Sequence, residues 1–185
     1  MAPSNNSGPA GPKPAGRKAV WPVNQPWWPS TQPWVSLVLR LGLAVVALWA
    51  ALPKLTHIRQ SQMAVRAYEL FPAALADLIG IAVPVIELVI AIALIIGLLT
   101  RYAAALFGLM MIVFVVGISQ AWARGLNIDC GCFGGGGELP EGVPHQYALE
   151  IARDIGLALV AAFVVLWPAS PASVDKWLRL DPPPR

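Results

Sequence analysis

The sequence predicts an all-α membrane protein, a bundle of four transmembrane helices. Of its 185 residues, 57% are hydrophobic and only 12% are charged, and the mean hydropathy is +0.62. Soluble domains carry about 25% charged residues and lack apolar runs of roughly 20 residues. The composition therefore excludes a water-soluble enzyme, a disulfide-rich secreted domain and a disordered regulator. Its 13 Lys and Arg residues are scattered along the chain, so it also lacks the basic stripe that nucleic-acid binding requires.

The first 33 residues are predicted to form a disordered, proline-rich cytoplasmic tail. They contain eight prolines together with several Gly, Ser and Asn residues. Such a stretch buries too little apolar surface to offset the entropy lost on ordering. The first apolar run begins late and no small-x-small cleavage site follows it, so a secretory signal is not expected.

Four apolar segments follow the tail, and each is close to the ~20 residues that cross the hydrocarbon core as a helix. They cover residues 34–52, 78–99, 102–123 and 148–167. Pro53 is expected to end the first segment and Pro168 the fourth, because proline breaks the helical hydrogen-bond pattern. The membrane domain is thus predicted over residues 34–168, with a short cytoplasmic tail at 169–185.

The distribution of Lys and Arg predicts the orientation of the bundle. With both termini in the cytoplasm, that side carries eight Lys and Arg residues and the other side carries five. The positive-inside rule favours this N-in/C-in arrangement in a bacterial plasma membrane. The loops at 53–77 and 124–147 then face the extracytoplasmic space. The first should contain an amphipathic helix around residues 60–70, either a lid on the bundle or an interfacial helix.

The two cysteines lie one residue apart in the second loop, in the glycine-rich run 129–134 (DCGCFG). A disulfide staple is one interpretation, but its three-residue loop would contribute only about 1.6 kcal/mol before strain is subtracted. A metal site is a second, with His57 and His145 as additional ligands at unconvincing spacing. The third is a strained, exchangeable redox pair formed by Cys130 and Cys132, with glycines that leave room for a partner protein.

Activation of these cysteines requires a positive charge from elsewhere in the fold. No Lys or His adjoins the pair, and the neighbouring Asp129 disfavours the thiolate. Arg124 and Arg153 are the candidates to supply that charge. The redox interpretation predicts no bound metal.

An ionisable residue, Glu87, lies near the middle of the second apolar segment. A carboxylate at that depth is costly and is by default a candidate functional group. Arg153 opens the fourth segment from the same face and is expected to reach towards Glu87. Lys54 ends the first segment on that face, either as an interface anchor or as part of the polar site. Two roles stay open for Glu87: a structural clamp between helices, or a site for a proton or a quinone.

In its motifs the chain resembles the MauE/DoxX-like family of redox-associated membrane proteins. The resemblance covers roughly residues 35–168 and rests on RLG at 40–42, PKL at 53–55, YELFP at 68–72, PVIEL at 84–88, GLLTR at 97–101, DCGCFG at 129–134 and RD at 153–154. Of these, the CGCFG element together with Glu87 and Arg153 is the most specific. The resemblance implies a four-helix bundle that serves disulfide formation or electron delivery for exported proteins. In contrast to four-helix thiol oxidases with two cysteine pairs, this chain has one pair, so it has no internal relay.

The leading functional hypothesis is a membrane thiol–disulfide redox protein, a thiol–disulfide oxidoreductase if it turns over. Cys130 and Cys132 would exchange electrons with an extracytoplasmic thioredoxin-fold protein, above an intramembrane site of Glu87, Arg153 and Lys54. The alternative is a non-catalytic membrane subunit or assembly factor of a larger redox complex. Membrane lipid is expected around the bundle, and a quinone is the one candidate cofactor. The direction of electron flow and the first attacking cysteine stay open.

Overall fold

The computed structural model describes residues 28–138 and 146–178. This part of the chain forms six helices and one hairpin: α1 Trp28–Thr56, α2 Ile58–Ala67, α3 Ala73–Ile96, α4 Thr100–Ala123, the strands β1 Ile128–Asp129 and β2 Gly137–Glu138, α5 Tyr147–Leu166 and α6 Val174–Trp177. The two strands pair antiparallel. Three parts named in the sequence analysis lie outside the described residues: the predicted tail up to residue 27, the proposed metal ligand His145, and residues 179–185.

The first helix extends beyond the predicted segment at both ends. It begins at Trp28 and continues through Pro53 to Thr56, although the sequence predicts an end before that proline. Pro53 lies in the last turn, where the loss of one backbone hydrogen bond does not stop the helix. In the extra turn, Lys54 is buried at 4% exposure. The continuation therefore brings a cation into the bundle.

Three of the described helices are long and apolar enough to cross a membrane. They are Thr31–Thr56 within α1, and the whole of α3 and of α4. The fourth predicted segment coincides with α5, which has 20 residues. Its first two turns carry Glu150, Arg153 and Asp154, so α5 has more charged residues than any other of the long helices described.

Small side chains allow the long helices to pack closely. The main pairings are α1 against α3 and α4 against α5. The buried core between them includes Leu43, Ala47, Ile90, Leu94 and Phe107. Alanines at such contacts permit close backbone approach, which favours helix association within lipid. The pairing brings the end of α1, the middle of α3 and the start of α5 together beside the cysteine loop.

At the opposite end of the bundle, the segment after α5 folds back and caps α4. The Asp175 carboxylate accepts hydrogen bonds from the backbone N–H groups of Leu99 (2.6 Å) and Thr100 (2.7 Å). The first N–H groups of a helix lack intrahelical partners, and a carboxylate there also complements the helix dipole. The described part of the C-terminal segment is thus an integral part of the bundle.

Loss of this cap should destabilise the protein measurably. The Asp175→Ala variant is expected to lose about 1–2 kcal/mol of unfolding free energy, the usual range for a helix cap. Unfolding in mixed detergent micelles measures the loss, with Lys176→Ala as the matched control because Lys176 is exposed. Equal stability of the two variants would mean that the cap does not contribute.

Candidate functional site

The cysteine loop is fixed to the bundle by two tyrosines. The hydroxyl of Tyr147 donates to the carbonyl of Leu126 (2.6 Å) and accepts from the backbone N–H of Ile128 (2.9 Å). Tyr68, directly after α2, donates its hydroxyl to the carbonyl of Cys130 at 3.1 Å. Burial raises the pKa of Tyr68, which keeps this hydroxyl protonated as a donor. Both tyrosines thus position the backbone that carries the cysteines.

The two cysteines are free thiols and are buried, with 9% of Cys130 and 5% of Cys132 exposed. The backbone N–H of Cys132 donates to the sulfur of Cys130 at 3.2 Å. The Cys132 thiol donates to the carbonyl oxygen of Cys130 at 3.9 Å. Hydrogen bonding from the Cys132 side chain lowers the pKa of Cys130, and the same interaction, together with burial, raises the pKa of Cys132. The pair is therefore asymmetric, and Cys130 is the sulfur that loses its proton more readily.

Arg153 is the cation that faces the sulfurs. Its Nη2 lies 4.0 Å from the sulfur of Cys130, and its guanidinium stacks over the ring of Phe133 at 4.6 Å. Arg124, the other candidate from the sequence, instead binds the Tyr68 carbonyl (2.9 Å) and the Glu69 carboxylate (2.8 Å). The structure thus separates the two arginines: Arg153 contacts the Cys130 sulfur and Arg124 anchors the chain after α2.

The glycines of the loop allow close packing within the protein, and this differs from the predicted role. A Cβ atom on Gly134 would lie 2.2 Å from Cβ of Pro53, and one on Gly136 would lie 2.3 Å from Cβ of Ala64. The prediction that these glycines leave room for a partner is therefore wrong for the observed conformation. The hairpin instead lies against α1 and under α2, which acts as the lid that the sequence allowed.

Glu87 is paired with Lys54, and not with Arg153 as the sequence predicted. Lys54 Nζ lies 2.6 Å from Glu87 Oε1, with only 4% and 2% of the two side chains exposed. The continuation of α1 past Pro53 is the reason, because it brings Lys54 to the face of α3 that carries Glu87. Arg153 pairs instead with its neighbour Asp154, at 2.9 Å.

A small cavity connects these polar groups beneath the loop. Glu87, Asp154 and Cys132 line it, together with mostly apolar side chains such as Phe114 and Phe133. Its free volume of about 10 Å³ is close to what one water molecule needs. Asp154 was not among the site residues predicted from the sequence. Its place one turn after Glu150, in the first turns of an apolar helix, was the available signal.

The described residues contain one cluster with metal-ligand geometry. Atoms of Asp129, Cys130 and Glu150 that can ligate a metal lie within 4.8 Å of one another. The cluster differs from the metal site considered from the sequence, since His57 is not part of it. Nδ1 of His57 instead lies 3.0 Å from the hydroxyl of Thr56. Three ligands, one of them a sulfur that already accepts a hydrogen bond from the Cys132 N–H, do not complete a closed tetrahedral site.

The asymmetry of the pair predicts a pH effect on thiol reactivity. Alkylation of Cys130 by iodoacetamide should have its pH midpoint below that of an ordinary thiol, since the thiolate is the reacting species. Cys132→Ala removes the side-chain donor and should move the midpoint to higher pH, whereas Cys132→Ser keeps a donor and should move it less. Mass spectrometry of the alkylated Cys130 peptide across pH measures both shifts. Identical midpoints in the two variants would contradict the assigned hydrogen bond.

Comparison with known proteins identifies relatives over most of the chain. The family described as "Methylamine utilisation protein MauE" matches residues 32–168. A methylamine utilization protein MauE of Paracoccus denitrificans is 31% identical over 144 residues, which cover 77% of this chain and 75% of that protein. The corresponding protein of Methylorubrum extorquens is 36% identical over 143 residues, which cover 75% and 73%.

The matched region contains the bundle from α1 to α5, with the cysteine loop and the buried ion pairs. No solved structure matches the chain. The family match spans well over half of the chain, and both relatives agree with it. On this basis, the chain belongs to the MauE family of membrane proteins.

Proposed function

We propose that this protein is a membrane thiol–disulfide redox protein that serves methylamine utilisation. Cys130 and Cys132 form its exchangeable pair, and an extracytoplasmic thioredoxin-fold protein is the partner. The association with methylamine comes from the names of the two relatives. The redox chemistry is supported by the sulfurs themselves: two adjacent free thiols, one stabilised as a thiolate by the other and by Arg153.

The asymmetry assigns an order to the exchange. The Cys130 thiolate attacks a disulfide of the partner, forms a mixed disulfide and releases one partner sulfur as a thiolate. Cys132 then attacks the Cys130 sulfur, so that the Cys130–Cys132 disulfide forms and the second partner thiolate leaves. Two electrons pass to the partner, and the reverse sequence oxidises a partner dithiol.

Trapping of the mixed disulfide tests this order. In cells that depend on this protein for growth on methylamine, Cys132→Ser should accumulate a covalent complex with the partner that disappears on reduction. Cys130→Ser should accumulate none, because the remaining thiol keeps its proton. The double serine variant is the matched control and should lose growth while still reaching the membrane in normal amount.

Burial of the pair favours one alternative, the non-catalytic subunit or assembly factor. With 9% and 5% of the two cysteines exposed and α2 above them, the loop also resembles a packed docking element. In that case the double serine variant grows normally on methylamine and no covalent complex forms. The same experiment therefore decides between the two functions.

The proposal includes a four-span topology with both termini in the cytoplasm. Its supports are the three apolar spans and the packing of α5 along α4. In a background without native cysteines, external impermeant maleimide should label Asn127→Cys in intact cells. Arg101→Cys and Lys176→Cys should react only after permeabilisation. External labelling of Lys176→Cys alone would exclude α5 as a span.

We infer that the polar site beneath the loop does not hold a quinone. A free volume of about 10 Å³ accepts about one water molecule, far less than an aromatic ring. We therefore propose that electrons pass directly between the cysteine pair and the partner protein.

A further inference from the structure

We propose that Glu87 and Asp154 form the site that takes the proton from Cys132 when the Cys130–Cys132 disulfide closes. The same site returns the proton when the disulfide opens. This inference rests on the proposed redox function and deepens it, because it gives the buried carboxylates a chemical role.

The geometry gives Cys132 access to both carboxylates. All three residues line one small cavity beneath the loop, whose other walls are largely apolar. An apolar wall offers no proton acceptor, so the carboxylates are the polar groups available to the Cys132 thiol there. The space of about 10 Å³ allows one water molecule to connect the thiol with both acids.

Each carboxylate has one oxygen bound and one oxygen free. Glu87 Oε1 accepts from Lys54 at 2.6 Å, and Asp154 Oδ1 accepts from Arg153 Nε at 2.9 Å. Within the described residues, Glu87 Oε2 and Asp154 Oδ2 are buried and have no hydrogen-bond partner. A buried acceptor without a donor is unfavourable and rare. These two oxygens are therefore suited to receive a proton.

Of the two cysteines, only Cys132 needs a proton acceptor during the exchange. Cys130 reacts as the thiolate, whereas Cys132 holds its proton until the closing step. In that step the Cys132–Cys130 bond forms, the bond from Cys130 to the partner sulfur breaks, and its electron pair leaves with the partner thiolate. The Cys132 proton moves to the carboxylates.

A chromogenic disulfide separates the two steps in the purified full-length protein. With 4,4′-dithiodipyridine in detergent micelles, attack by Cys130 releases one thiopyridone, and closure by Cys132 releases the second. The first release reports the thiolate, and the second reports proton removal from Cys132. If the unaltered protein releases only one equivalent, the pair cannot close, and both the proposed function and this inference are wrong.

The test variant is Lys54→Met with Glu87→Gln, since removal of both charges avoids an unpaired buried ion. In this variant the rate of the second release should fall at least about tenfold. Addition of Asp154→Asn should increase the fall to about 100-fold, the usual effect of general-base catalysis. The rate of the slowed second release should then rise tenfold per pH unit, as for direct deprotonation by hydroxide. The first release should be unchanged in the double variant, which also shows that the protein is folded.

Asp77→Asn is the matched control, because this carboxylate pairs with Arg66 away from the cavity. It should leave both releases unchanged. A second release at the original rate in the Lys54, Glu87 and Asp154 variants would overturn the inference while the redox function stands. A slowed second release without the steeper pH dependence would also overturn the inference, since that pattern reports a structural effect alone.

Discussion

Replacement of Lys54 by Met is expected to destabilise the protein by about 3 kcal/mol or more, the usual result when one partner of a buried ion pair is removed. The variant leaves Glu87 in the middle of α3 without its cation, and only 2% of its side chain is exposed. Unfolding in mixed micelles measures the loss, together with the amount of protein that reaches the membrane.

The double variant Lys54→Met with Glu87→Gln should recover most of that loss. Removal of both charges eliminates the desolvation of the ions as well as their attraction, so the net change is small. A thermodynamic cycle over the single and double variants then gives the coupling between the two side chains.

The exposed pair of Arg66 and Asp77 is the control for this cycle, and its coupling should be small because water screens it. If the Lys54 and Glu87 variants showed additive effects, the buried pair would not be a clamp between α1 and α3.

The membrane class and the approximate position of the helices were predictable, because long apolar runs permit little else within lipid. The residue at which α1 ends was not predictable. Pro53 is a strong local signal to stop, but the helix continues for one more turn and buries Lys54 against Glu87. A tertiary ion pair determines that outcome, and no local pattern in the sequence contains it.

The geometry of the candidate site also depends on tertiary packing that no local sequence pattern contains. The spacing of Cys130 and Cys132 indicated their proximity, and the absence of a neighbouring Lys or His suggested Arg124 or Arg153 as the source of positive charge. Which arginine reaches the sulfur depends on how α5 packs on α4, and the sequence does not specify that packing. Asp154 adjoins Arg153 in the sequence and was not selected as a site residue. The cavity shows that it shares one space with Cys132 and Glu87, and its second oxygen has no hydrogen-bond partner among the described residues.

Replacement of Gly134 by Ala should detach the cysteine hairpin from α1. Gly134 has φ of +89°, and an added Cβ would lie 2.2 Å from Cβ of Pro53. Strain at positive φ costs about 1–2 kcal/mol, and overpacking adds about 1–3 kcal/mol. Pro53 lies within a helix and cannot move aside easily. We therefore expect the loop to shift and its two buried cysteines to become accessible.

Gly125→Ala separates strain from packing, because Gly125 also has positive φ (+71°) but no atom within 4 Å of its added Cβ. The free energy of unfolding of Gly125→Ala should fall only by the cost of this strain, and both cysteines should stay protected from a bulky maleimide. Gly134→Ala should lose more stability and react with that maleimide much faster, as measured by a mass shift over time. Equal reactivity of the two variants would show that contact with Pro53 does not hold the loop closed. Burial of the pair would then depend on α2 and on the hydrogen bonds of Tyr68 and Tyr147 to the loop.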